Sequence, residues 1–179
     1  MVYLLLGTGF EEVEAIAPLD LMRRAGIEVL SVGVTGKTVV GSHGIGIEAD
    51  ITIDQMDLTN LEMIILPGGL GGVASARASQ SALDALSFAW ENGKYVAAIC
   101  AGPTVLADLH ITDGKNAVCY PGCETGMGNA NVGCAAAVRD GNLITGASAG
   151  TSIPFALELI RALKGDEIAN KVKDQIVIR

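Results

Sequence analysis

Short apolar runs alternate with segments of helical period along this chain, and that alternation restricts it to one broad architecture. Val2–Leu6 is rich in strand formers and stops at Gly7. From Glu12 to Ala25, Val13, Ile16, Leu19 and Met22 recur at helical spacing, and Gly26 lies just past the end, where a helix cap favours glycine. This spacing turns Val13 and Ile16 toward the core. Glu28–Val34 is a second strand, so the chain opens as a strand–helix–strand unit with a parallel pair.

The pattern continues. Met63–Leu66 is a buried strand that stops at Pro67-Gly68-Gly69, and Ser81–Asn92 is a helix closed by Gly93. Tyr95–Ile99 is another strand, followed by a helix over Gly102–Leu109 that tolerates Pro103 in its first turn. Lys37–Ile53 reads as a hairpin or extended excursion, and Gly114–Gly133 is the least regular stretch. Ala135–Arg139 and Leu143–Thr145 are strands about an Asp140-Gly141-Asn142 turn. Gly150–Leu163 and Asp166–Asp174 are helices. Strands alternating with helices predict an α/β fold in one domain over 1–179, a mostly parallel sheet covered by helices on both faces.

Composition narrows the partners. Half of the 179 residues are hydrophobic but only 4% are aromatic, so the core is built from Val, Ile, Leu and Ala. A net charge of -8 argues against nucleic acid or an anionic membrane as partner, since both call for basic patches. Met1–Leu6 is too short for a signal-peptide core, and no apolar stretch approaches the ~20 residues that span a bilayer. The expected compartment is the cytoplasm, with Cys100, Cys119, Cys123 and Cys134 reduced. Without CxxC pairs and with only two His, a structural metal is not expected.

Cys100 is the strongest candidate for chemistry. It follows a buried strand and precedes a helix, with Ala98, Ala101 and Gly102 leaving room for a sharp turn. Those are the mechanics of a nucleophile elbow. The helix N-terminus behind it favours negative charge, so a thiolate is expected at neutral pH. Glu11, Glu12 and Glu14 open the first helix, where acids are ordinary dipole partners. Glu14 alone is placed to point back over the sheet edge toward Cys100, as a protonated carboxyl that donates a hydrogen bond. Gly68 and Gly69 form a glycine turn after a strand; they lack a phosphate-loop spacing, and their amides suit an oxyanion hole, with Ala101 as a further donor. His43 and His110 read as solvated loop residues. Cys119-Tyr-Pro-Gly-Cys123 is a turn with two thiols, read as unpaired apolar cysteines in preference to a disulfide.

These motifs together resemble the ThiJ/PfpI superfamily, its DJ-one-like branch most closely. The resemblance rests on Gly9-Phe-Glu-Glu-Val-Glu-Ala with Asp20-Leu-Met-Arg-Arg-Ala-Gly-Ile, on Leu66-Pro-Gly-Gly, on Ala97-Ala-Ile-Cys-Ala-Gly-Pro-Thr, and on Gly150-Thr-Ser with Phe155-Ala-Leu. It covers essentially the whole chain. It implies a flavodoxin-like three-layer α/β/α sandwich of the class I glutamine amidotransferase type, commonly a homodimer, and a pairing of Cys100 with a protonated Glu14. Two departures stand out. Relatives with a histidine near the cysteine carry it just before a proline, where this chain has Tyr120 before Pro121; and Ala147 stands where some relatives have a basic residue. His43 is expected to replace another basic residue at the site.

The resemblance implies a small carbonyl substrate, handled without a cofactor in glyoxalase or deglycase chemistry. Cys100 and Glu14 would do the covalent and proton-transfer work, with Tyr120 and His43 lining the site. The alternative is a redox sensor in which an oxidant converts Cys100 to the sulfinate with little turnover.

Overall fold

The computed structural model describes residues 1–178. Its strands are β1 (Val2–Leu6), β2 (Val29–Gly33), β3 (Thr38–Val40), β4 (Gly46–Glu48), β5 (Ile51–Thr52), β6 (Met63–Leu66), β7 (Tyr95–Ile99), β8 (Asn116–Ala117), β9 (Asn131–Val132), β10 (Ala137–Asp140) and β11 (Leu143–Gly146). Its helices are α1 (Glu12–Arg24), α2 (Leu70–Ala78), α3 (Gln80–Glu91), α4 (Pro103–Asp108) and α5 (Ser152–Gln175).

The central sheet has the order β10-β11-β7-β6-β1-β2-β5, and every pairing in it is parallel except that of edge strand β10. Alternation along β1 divides the core. Val2, Leu4 and Leu6 pack on the face that holds α1 and α5, while Tyr3 and Leu5 pack on the face of α2, α3 and α4. This is the three-layer α/β/α sandwich that the apolar runs predict, because a strand buried on both faces carries no polar alternation. Lys37–Ile53 resolves into the β3–β4 hairpin, outside the sheet, and the short edge strand β5. The two C-terminal helices join into α5, with a break at Gly165, whose φ of 82° is not helical.

One expectation is corrected. Val13 and Ile16 do not face the core: they are 52% and 37% exposed. The buried stripe of α1 is Glu14, Ala15, Pro18, Leu19, Leu21 and Met22, with Glu12 also buried. A three-residue spacing fits either side of a helix, and here the sheet and α5 cover the side that carries two carboxylates. Helix α2 has no counterpart among the expected elements, since a start of Leu70-Gly-Gly gives no helical signal. Contact dictates those glycines. A Cβ on Gly72 would lie 2.7 Å from Phe10 Cα, and one on Gly71 2.9 Å from Gly9 Cα. The helix start therefore lies directly on the loop that leads into α1.

Candidate active site at the β7 elbow

The C-terminal ends of β1, β6 and β7 place three loops side by side, as parallel sheets do with their sites. Cys100 leaves β7 at φ 65°, a left-handed conformation uncommon for a residue with a side chain. Neighbouring backbone holds it there: its N–H donates to Gly146 O at 2.9 Å, and its own carbonyl accepts from Tyr120 N–H at 2.8 Å.

Glu14 comes from the first turn of α1, which Glu11 caps by accepting from Glu14 N–H at 2.8 Å. The Glu14 side chain is fully buried. Its Oε2 accepts from Gly68 N–H at 2.9 Å, while Glu11 N–H donates to Gly68 O at 3.0 Å. Gly68 thus ties the α1 entrance to the glycine turn. Among the described residues, Glu14 Oε1 is the one buried side-chain oxygen or nitrogen left without such a partner. The Cys100 thiol is the polar group beside this carboxyl, and the two share a hydrogen bond.

Burial pushes the Glu14 carboxyl from 4.5 up to about 7, with help from the Glu11 charge and against the Cys100 and Gly68 hydrogen bonds. Burial likewise pushes the Cys100 thiol up to about 12, and the charge and hydrogen bond of Glu14 add to it. The Ala101 and Gly69 amides act in the opposite direction on the sulfur. The thiolate expected at neutral pH is therefore corrected. Desolvation and a carboxylate neighbour outweigh the two amides at the helix start. The pair loses one proton near neutrality and holds the second far above it, and both steps belong to the pair rather than to one residue.

A cleft of about 280 Å³ opens over the sulfur, lined by Glu11, Gly69, Leu70, Cys100, Ala101, Tyr120 and Cys123. Tyr120 is there as expected, half exposed. His43 is not. Its Nδ1 lies 2.9 Å from Glu12 Oε2 and 3.9 Å from Glu11 Oε1, and its N–H donates to Glu12 Oε1 at 2.7 Å, so the buried carboxylate of Glu12 holds it beside the cleft residue Glu11 and not in the lining itself. Burial works to raise the Glu12 pKa, but the His43 hydrogen bonds outweigh it, and the carboxyl drops to about 2. His110 pairs with Asp113 at the surface. Glu11, Glu12 and His43 could offer ligand atoms within 4.8 Å of one another. The Glu12 oxygens, however, are already engaged by His43, Ser42 and Ile45 donors, which makes an ion pair and not an open metal site. The four cysteines are all free. A larger cleft of about 440 Å³ lies along α5, lined by Pro154, Leu157 and Arg161 among others, and carries no cysteine.

Glu11, Leu70 and Cys123 are cleft residues that the sequence reading passed over. Glu11 carried a signal: it stands three residues before Glu14, at the N-cap spacing. Cys123 carried a weaker one, three residues after Tyr120 across a Pro-Gly turn.

Residues 1–162 match the DJ-1/PfpI family. Protein dj-1beta of Drosophila melanogaster is 36% identical over 177 residues, 97% of this chain and 95% of its own. A deglycase of Pyrococcus horikoshii is 30% identical over 165 residues, 91% of this chain and 99% of its own. Among solved structures, Drosophila melanogaster DJ-1beta superposes with a TM-score of 0.95 at 34% identity, covering 99% of this chain and 97% of that one. The oxidized DJ-1 of Toxoplasma gondii superposes with a TM-score of 0.93 at 31% identity, covering 98% and 97%. With its elbow, glycine turn and buried glutamate in one sandwich, this chain belongs to the DJ-1/PfpI family.

Proposed function

We propose that this protein acts on small reactive carbonyls without a cofactor, in glyoxalase or deglycase chemistry, through Cys100 and Glu14. One observation carries the reading: the fully buried Glu14 carboxyl shares a hydrogen bond with the elbow thiol, and burial pushes it up to about 7. A base poised near neutrality suits a thiol that does not ionise by itself. As the Cys100 sulfur attacks an aldehyde carbon, the thiol proton passes to Glu14 and from Glu14 to the carbonyl oxygen, giving a hemithioacetal and a free Glu14 carboxylate. Glu14 then removes the hydrogen on that carbon and returns it to the adjacent one, leaving a thioester. Water cleaves the thioester to the hydroxy acid and restores the thiol. The Gly69 and Ala101 amides, already aimed at the sulfur, hold the developing oxyanion. The Pyrococcus horikoshii relative, named a deglycase, supports this class.

A direct assay follows methylglyoxal loss and lactate formation with pure protein. Cys100→Ser is expected to abolish both; equal activity in that variant would contradict the reading.

The second reading is a redox sensor, in which an oxidant takes Cys100 to the sulfinate. The amides of Gly69 and Ala101 favour it, since they suit an anionic sulfur, as does the name of the oxidized Toxoplasma gondii relative. Free thiols suit a reducing cytoplasm as the compartment, and among the described residues no helix is long and apolar enough to cross a membrane. A homodimer is part of the proposal. Exposed Val13, Ile16 and Ile45 with Ile47 make an apolar groove on α1 and the β3–β4 hairpin, with Glu12 and Asp20 at its margin. Light scattering that shows a monomer at high concentration would remove the dimer.

A further inference from the structure

Two thiols open on one cleft. Cys100 and Cys123 both line the cavity over the elbow. Backbone bonds keep them together: Tyr120 N–H donates to the Cys100 carbonyl at 2.8 Å, and Cys123 N–H donates to the Tyr120 carbonyl at 2.9 Å. Cys123 thus closes a turn hung from the nucleophile's own carbonyl. The tip of that turn, Pro121 and Gly122, is exposed, and a Cβ on Gly122 would meet nothing within 4 Å. A disulfide needs Cα atoms about 4.4–6.8 Å apart; the open tip gives the turn room to close on Cys100, and the contacts that change are those of Cys123 at the edge of two apolar clusters. The other two thiols are placed differently. Cys119 is buried, and burial pushes its thiol up to about 11. Cys134 is exposed and lines no part of this cleft.

We propose that Cys123 is the resolving thiol for Cys100, so that a hydroperoxide drives this site to a Cys100–Cys123 disulfide. The Cys100 sulfur attacks the terminal peroxide oxygen, its proton passing to Glu14. The O–O bond breaks, and the departing alkoxide or hydroxide takes up the proton. Cys100 is now the sulfenic acid, oxidised by two electrons at the expense of the peroxide. The Cys123 sulfur then attacks the Cys100 sulfur, the S–O bond breaks, and hydroxide leaves with the Cys123 proton as water. The sum is two thiols and one hydroperoxide giving one disulfide, one alcohol and one water. A neighbouring thiol intercepts the sulfenic acid before a second oxidant makes the sulfinate. The proposal rests on Cys100 being the reactive thiol, and it is independent of any carbonyl substrate.

The test uses the reduced full chain with two equivalents of hydrogen peroxide, one for the sulfenic acid and one for any sulfinate. Free thiols are then alkylated, and mass spectrometry is run before and after non-reducing digestion. The wild type is expected to lose the mass of two hydrogens and to yield a Cys100–Cys123 linked peptide pair. Cys123→Ser under the same dose is expected to gain two oxygens at Cys100, with several-fold more sulfinate than the wild type. Sulfinate at Cys100 beside an alkylated Cys123 in the wild type would overturn the pairing while leaving Cys100 reactive. A Cys119–Cys123 link would overturn it also. A Cys100 that stays an unmodified thiol throughout would overturn both the pairing and the reactivity it rests on.

Discussion

Glu14 and Cys100 converge on one glycine: a Cβ built on Gly68 would lie 2.5 Å from Glu14 Oε2 and 2.7 Å from Cys100 Cβ. The glycine turn is therefore a spacer whose missing side chain sets how closely carboxyl and thiol approach. Gly68→Ala is expected to destabilise the fold by about 1–3 kcal/mol through overpacking, lowering Tm by several degrees. It is also expected to suppress methylglyoxal turnover at temperatures where the variant is still folded. A thermal melt and an assay on the same sample check both.

The raised Glu14 pKa makes stability depend on pH. A carboxyl whose folded pKa lies above its unfolded value favours folding while protonated. The folded protein binds the extra proton between 4.5 and about 7. Stability from this group therefore falls as pH rises across that window, by at most about 3.5 kcal/mol at about 1.4 kcal/mol per pK unit. Urea unfolding at either end of the window should show the decline in the wild type and little of it in Glu14→Gln.

The thiol should respond to Glu14 in one direction. Burial alone keeps the Cys100 pKa high, and the Glu14 charge and hydrogen bond raise it further. Glu14→Leu removes the charge and is expected to lower the thiol pKa from about 12, with Glu14→Gln also lowered. Thiolate absorbance against pH measures this; a higher pKa in Glu14→Leu would mean that the carboxyl stabilises the thiolate instead.

The His43–Glu12 clamp has its own pH window. Glu12 sits at about 2, so its contribution is present above 4.5 and is lost as pH falls toward 2. The Glu12 hydrogen bond and charge raise the His43 pKa above 6.5, so its contribution is complete below 6.5 and is lost as pH rises through the folded value. NMR titration should place the His43 ring above 6.5, and the shift should vanish in Glu12→Gln.

The sandwich was legible in the sequence because buried parallel strands such as Tyr95-Val-Ala-Ala-Ile write themselves as unbroken apolar runs. Cys100 was legible for a related reason: small residues on either side of a thiol mark a sharp turn at the end of such a run. What the sequence hid was long-range. Val13 and Ile16 keep helical period yet stay exposed, because periodicity gives the angle between residues and not which side meets the sheet. The thiolate expectation rested on the helix end, which is local; the burial and the Glu14 charge that oppose it exist only in the fold. His43 pairs with Glu12, which is far away in the chain, and that pairing keeps it next to Glu11 and out of the cleft lining.

The most direct measurement of the central claim, that Glu14 accepts the Cys100 proton during carbonyl attack, is the pH profile of kcat/KM for methylglyoxal. In the wild type it should fall about tenfold per unit as pH drops below about 7, where the carboxylate is lost. In Glu14→Gln any residual rate should show no such break. A wild-type profile that stays flat through that range, or a break that persists unchanged in Glu14→Gln, would contradict the account.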